Sequence, residues 1–113
     1  MLRIYHNPRC RKNRAGLAYL QEKGLNFKIR EYLKEPFTEK ELTVVIQKWG
    51  KKPFDLVRQQ EEIYKKEFKG LELSDREWIK IMIQNPKLIE RPMVVSDDKA
   101  ILGQPPEVIG EIL

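Results

Sequence analysis

The spacing of apolar positions shifts along this chain from strand-like to helix-like and back, and each shift marks an element. Leu2, Ile4 and Tyr5 read as a buried first strand over residues 2 to 6, while Ala15, Leu17, Ala18 and Leu20 supply the apolar positions of a helix that stops near Gly24. Phe27, Ile29 and Glu31-Tyr32-Leu33 predict a second strand by alternation, closed by Pro36. The short crossover between the two strands favours parallel pairing with a right-handed connection.

The middle of the chain reads as helical. Thr38 with Glu41 is a capping-box pair, followed by Leu42, Val45, Ile46 and Trp49 at helical spacing until Gly50. Ser74 with Glu77 repeats the signal before Trp78, Ile81 and Met82, and that helix must end before Pro86. Residues 51 to 73 predict a loop containing one more short helix through Ile63, Tyr64 and Phe68. Trp49 and Trp78, each at apolar helical spacing, are expected in the core. Met93-Val94-Val95 and Ala100-Ile101-Leu102 flank Ser96-Asp97-Asp98-Lys99 as a β-hairpin, and Pro105-Pro106 opens a last helix carrying Val108, Ile109, Ile112 and Leu113. The order β, α, β, helical block, β, β, α predicts an α/β, thioredoxin-like domain spanning residues 1–113, with a helical insert at about 38–85 after the second strand. In such a fold the loop after the first strand carries the reactive cysteine.

Composition adds exclusions. A chain of 113 residues, 41% hydrophobic and 35% charged, is long enough to bury its own core and is not disordered. Its apolar runs fall short of the roughly 20 residues that span a bilayer, and its first residues do not read as an apolar leader, so a cytoplasmic protein without membrane contact is expected. One cysteine forms no internal disulfide, and one histidine with one cysteine does not make a three- or four-ligand zinc site, so no metal site is expected. If Cys10 does redox chemistry, the second thiol comes from another molecule.

Charge locates the chemistry. The formal net charge is +5, and Arg3, Arg9, Arg11, Lys12 and Arg14 all precede the first acid, Glu22. Setting those five aside leaves 17 basic residues against 17 acidic ones, so the excess surrounds one loop. Later cations alternate with Glu, as on a solvated helix, and do not form the basic stripe of a nucleic-acid binder. A small anion is the expected guest. The loop His6-Asn7-Pro8-Arg9-Cys10-Arg11-Lys12-Asn13-Arg14 puts the cysteine at a helix start, where unpaired backbone N–H groups and the helix dipole favour a thiolate or an oxyanion. Neighbouring cations lower a thiol pKa into the reactive range. His6, on the far side of Pro8 from the sulfur, fits a structural hydrogen bond at the strand end better than a proton relay.

This loop resembles that of the glutaredoxin-dependent arsenate reductase family, whose pattern after the first strand is H-N-P-x-C-x-x-S-R. Leu88-Ile89-Glu90-Arg91-Pro92-Met93-Val94-Val95 is similar to the family's arginine and proline, usually cis, leading into the third strand. Arg58, in Phe54-Asp55-Leu56-Val57-Arg58, falls where the family has an anion-binding arginine in its helical insert. The resemblance covers nearly the full length. It implies Cys10 as nucleophile, with Arg91, Arg58, Arg14 and Gln104 facing the anion and His6, Asn7, Pro8, Arg11, Lys12, Asn13 and Pro92 supporting the loop. Two positions depart from the pattern: Asn13 stands in place of the serine, and Gln104 stands where arsenate-reducing members have an arginine. An amide donates two hydrogen bonds but lacks the charge-assisted fork of a guanidinium.

The resemblance implies a thiol-dependent reductase of a small oxyanion, with glutathione as cosubstrate and glutaredoxin as partner, and its mechanism calls for no bound cofactor. Two alternatives stay open. One is a glutathione-linked thiol oxidoreductase acting on a different substrate. The other is a non-catalytic, protein-binding module like the Spx regulators, which bind RNA polymerase; the C-x-x-C of those proteins is absent here because position 13 is Asn.

Overall fold

Four strands form one sheet in the order β2-β1-β3-β4, made from β1 (Leu2–His6), β2 (Phe27–Glu31), β3 (Met93–Val95) and β4 (Ala100–Leu102). The structure is a computed structural model that describes residues 2–7 and 11–113, without the side chains of Lys12 and Asn13. β1 runs parallel to β2, with Ile4 opposite Ile29 and His6 opposite Glu31, as the short crossover through α1 (Arg11–Glu22) requires. β1 and β3 pair antiparallel, and so do β3 and β4. The expected hairpin is present, its turn closed by the Ser96 N–H donating to the Lys99 carbonyl at 2.7 Å and the Lys99 N–H donating to Ser96 Oγ at 3.0 Å.

The chain divides into two compact units, residues 1–35 with 91–113 and residues 36–90. The first holds the sheet, α1 and a terminal 3-10 helix, Pro106–Ile112. Its core is Ile4, Leu20, Val94 and Ile109, each excluded from solvent, with Leu2, Leu17, Phe27, Ile101 and Ile112 packed around them. The architecture is thioredoxin-like, with the helical block entering after β2.

The second unit contains α2 (Glu39–Trp49) and α3 (Asp75–Gln84), with a 3-10 turn at Pro53–Leu56 and a π-helical turn at Tyr64–Phe68 between them. Both capping boxes are formed: Thr38 Oγ1 accepts from the Glu41 N–H and Ser74 Oγ from the Glu77 N–H, while each glutamate accepts from the N–H of its cap residue. Gly50 ends α2 at φ +81°, a left-handed conformation that suits a residue without Cβ. Phe54, Tyr64 and Phe68 surround Trp78, the closest ring centroid being that of Phe54 at 5.0 Å.

Several expectations are corrected. α3 buries Trp78, Ile79 and Met82, and Ile81 is only half-buried, so its inner face is turned by part of a residue spacing from the one expected. Ile29 is exposed because β2 is an edge strand, and β2 ends at Glu31 with Tyr32 and Leu33 already in the following turn. Trp49 is half-buried, with Lys51 Nζ 5.2 Å from its ring centroid, an amphipathic surface contact rather than a core position. The last helix is 3-10 in form and leaves Leu113 exposed. Among the described residues, no helix is long and apolar enough to cross a membrane.

Candidate functional site

β1 delivers His6 and Asn7 to its C-terminal end, and both are buried. Pro8, Arg9 and Cys10, and the side chains of Lys12 and Asn13, lie outside the described residues. His6 sits opposite Glu31, whose charge favours the imidazolium, yet burial outweighs it and pulls the His6 pKa below its ordinary 6.5. Neutral imidazole therefore dominates at pH 7. Its Nδ1 is buried and has no hydrogen-bond partner among the described residues.

α1 opens one residue after Cys10. No acid stands in its first turn, so the positive end of its dipole is not offset from within the helix, and Arg11 and Arg14 are exposed there. That end can hold an anion or stabilise a thiolate.

The opposite wall comes from the loop into β3. Arg91 is half-buried, and its peptide bond to Pro92 is cis. The Pro92 ring lies between two glycines. A Cβ on Gly16, in α1, would stand 2.9 Å from Pro92 Cγ, and a Cβ on Gly103, just after β4, would stand 3.3 Å from the same atom. The first distance is below any normal carbon contact, so glycine at 16 is what lets α1 approach this loop. The Gly103 N–H donates to the Pro92 carbonyl at 2.8 Å, and Gln104 Nε2 donates to the Arg91 carbonyl. Gln104 thus reaches the Arg91 main chain. Beside it, Arg11, Ala15, Gly103, Gln104, Pro105 and Pro106 line a cavity of about 400 Å³.

Arg58 belongs to the helical unit. Its N–H donates to the Leu88 carbonyl at 2.6 Å, and Val57 bridges to Ile89. Its guanidinium lies 3.9 Å from Glu61, and its Nε is buried with no hydrogen-bond partner among the described residues. His6, Asn7, Arg11, Arg14, Arg91, Pro92 and Gln104 thus belong to the sheet unit, Arg11 and Gln104 lining one cavity there, and Arg58 belongs to the other. Gly16 and Gly103 are the positions that sequence reasoning missed. A signal existed at Gly16, since glycine inside a helix costs about 1 kcal/mol relative to alanine and calls for a packing reason. Among the described residues, no group of three or more His, Cys, Asp or Glu side chains is placed to hold a metal ion.

Comparison with known proteins gives this arrangement its relatives. The chain is 42% identical to an arsenate reductase of Haemophilus influenzae, with 97% of each chain covered. It is 38% identical to an arsenate reductase of Escherichia coli, over 97% of this chain and 79% of that one. Among solved structures, an arsenate reductase from Vibrio cholerae superposes with a TM-score of 0.94 at 39% identity, covering 99% of this chain and 97% of that chain. The ArsC family model matches residues 5–112, a span that takes in the cysteine loop, the Arg91-Pro92 turn and Gln104, and the chain belongs to the ArsC family.

Proposed function

We propose that this protein is a cytoplasmic, thiol-dependent reductase of an arsenate-like oxyanion, with Cys10 as its nucleophile. The observation that carries the reading is the family match from residue 5 to 112, which includes the only cysteine, set one residue before a helix whose first turn holds no acid. The Cys10 thiolate attacks the central atom of the oxyanion, and a protonated oxygen leaves as water. Developing charge on the remaining oxygens is met by the α1 amides and by the guanidinium groups of Arg91 and Arg14. Glutathione supplies the second thiol. The two sulfurs together give up two electrons as arsenic passes from the +5 to the +3 state and arsenite leaves. Glutaredoxin then clears the mixed sulfur species by thiol exchange.

Neutral His6 suits this scheme as a buried wall that adds no charge to a site made for an anion. The test is arsenite release from arsenate by the purified protein with glutathione and glutaredoxin. Release is expected from the wild type and should fall to background in Cys10→Ser. A wild type that releases no arsenite while glutaredoxin is active on a control disulfide overturns the assignment.

A further inference from the structure

We infer that Gln104 is a positioning residue: its side-chain amide braces the main chain of Arg91 and thereby aims that guanidinium, in place of binding the anion itself. The inference rests on the reading of Arg91 as an anion ligand. Three contacts in the sheet unit converge on the Arg91-Pro92 turn. The Pro92 ring is flanked by the two glycines, Gly16 and Gly103, at distances that leave no room for a side chain on the first. The Pro92 carbonyl is tied by the Gly103 N–H at 2.8 Å. The third contact comes from Gln104, whose Nε2 donates to the Arg91 carbonyl.

A carbonyl oxygen accepts only, so the amide must present its NH2 to Arg91, and its Oε1 is directed elsewhere. That geometry commits one of the two Gln104 N–H donors to the Arg91 main chain. An uncharged amide held in this way is better suited to fix a neighbour than to clamp an oxyanion. The contact spans 13 residues of sequence, from the end of one hairpin strand to the start of the other, so it fixes the place where Arg91 leaves the backbone. A guanidinium at position 104 would add charge to the site directly. An amide there acts through Arg91.

A double-substitution cycle separates the two roles. The readout is the concentration of arsenate, and separately of phosphate, that halves the rate of Cys10 alkylation by iodoacetamide. Gln104→Leu should raise that concentration about threefold to tenfold, the range expected for loss of one hydrogen bond. Arg91→Leu keeps the backbone carbonyl but removes the guanidinium, and should raise it further. Adding Gln104→Leu to Arg91→Leu should then change nothing, because the brace no longer has a guanidinium to aim. Gln104→Met, which keeps the side-chain length without a donor, should reproduce Gln104→Leu and guards against an effect of branching. Equal weakening by Gln104→Leu in both backgrounds overturns the inference alone, since the amide would then touch the anion directly. A wild type unprotected by either anion overturns the reading of the site and this inference with it.

Discussion

The helical unit, residues 36–90, and the sheet unit that carries the candidate site are specified by different kinds of signal. α2 and α3 begin at Thr38 and Ser74, whose side chains and partner glutamates close both capping boxes, and α2 ends on a left-handed Gly50. Those are contacts within four residues of sequence. Around Arg91 and Pro92 the determining contacts run from Gly16 in α1 and from Gly103 and Gln104 just after β4, segments far apart in sequence within the sheet unit. Local rules place a scaffold helix, whereas the site depends on how closely separate segments approach. The practical lesson is that a glycine or an amide with no local duty is the residue to examine beside a reactive loop.

That contrast is open to measurement, beginning where the effect should be greatest. Trp78 is buried at the centre of the aromatic cluster, so Trp78→Ala should cost about 3–5 kcal/mol by urea denaturation. A loss below 1 kcal/mol would mean that those rings do not hold the helical unit together. Gly16→Val should cost about 2 kcal/mol, since overpacking against Pro92 outweighs the better helix propensity of a residue with a Cβ. The same variant should weaken anion protection of Cys10 more than its stability loss alone explains, and unchanged protection would detach the Gly16–Pro92 approach from the site. Thr38→Ala should remove about 1 kcal/mol by loss of its cap and leave anion protection untouched. Smallest is the His6 effect. Burial lowers the His6 pKa in the folded chain, so the unfolded chain takes up the proton first; stability should be level above about pH 6.5 and decline as the pH drops below it. His6→Gln should flatten that decline, and an unchanged slope would place its origin elsewhere.

Much of the scaffold was legible because it repeats with a short period. β1, both capped helices and the hairpin at 93–102 follow from apolar spacing and turn residues alone. What escaped was decided by neighbours distant in sequence. Alternation marks Ile29 as apolar but does not tell that β2 is an edge strand, which leaves it exposed. Helical spacing admits either Ile79 or Ile81 as the inner residue, and packing against the rest of the helical unit selects Ile79. Site chemistry was legible where residue type and place coincide, as in the acid-free opening of α1 with Arg11 and Arg14. Gln104 was legible only as a departure from a family pattern, because the partner of its amide, the Arg91 carbonyl, has no sequence signature.

If Cys10 is an anionic nucleophile that shares its place with an oxyanion, both properties show in the pH dependence of its alkylation by iodoacetamide, with and without arsenate. The midpoint should lie well below the roughly 8.5 of a free thiol, and arsenate should suppress the rate in a saturable manner. A midpoint at the free-thiol value, with a rate that arsenate leaves unchanged, would show that Cys10 is neither activated nor adjacent to an anion site.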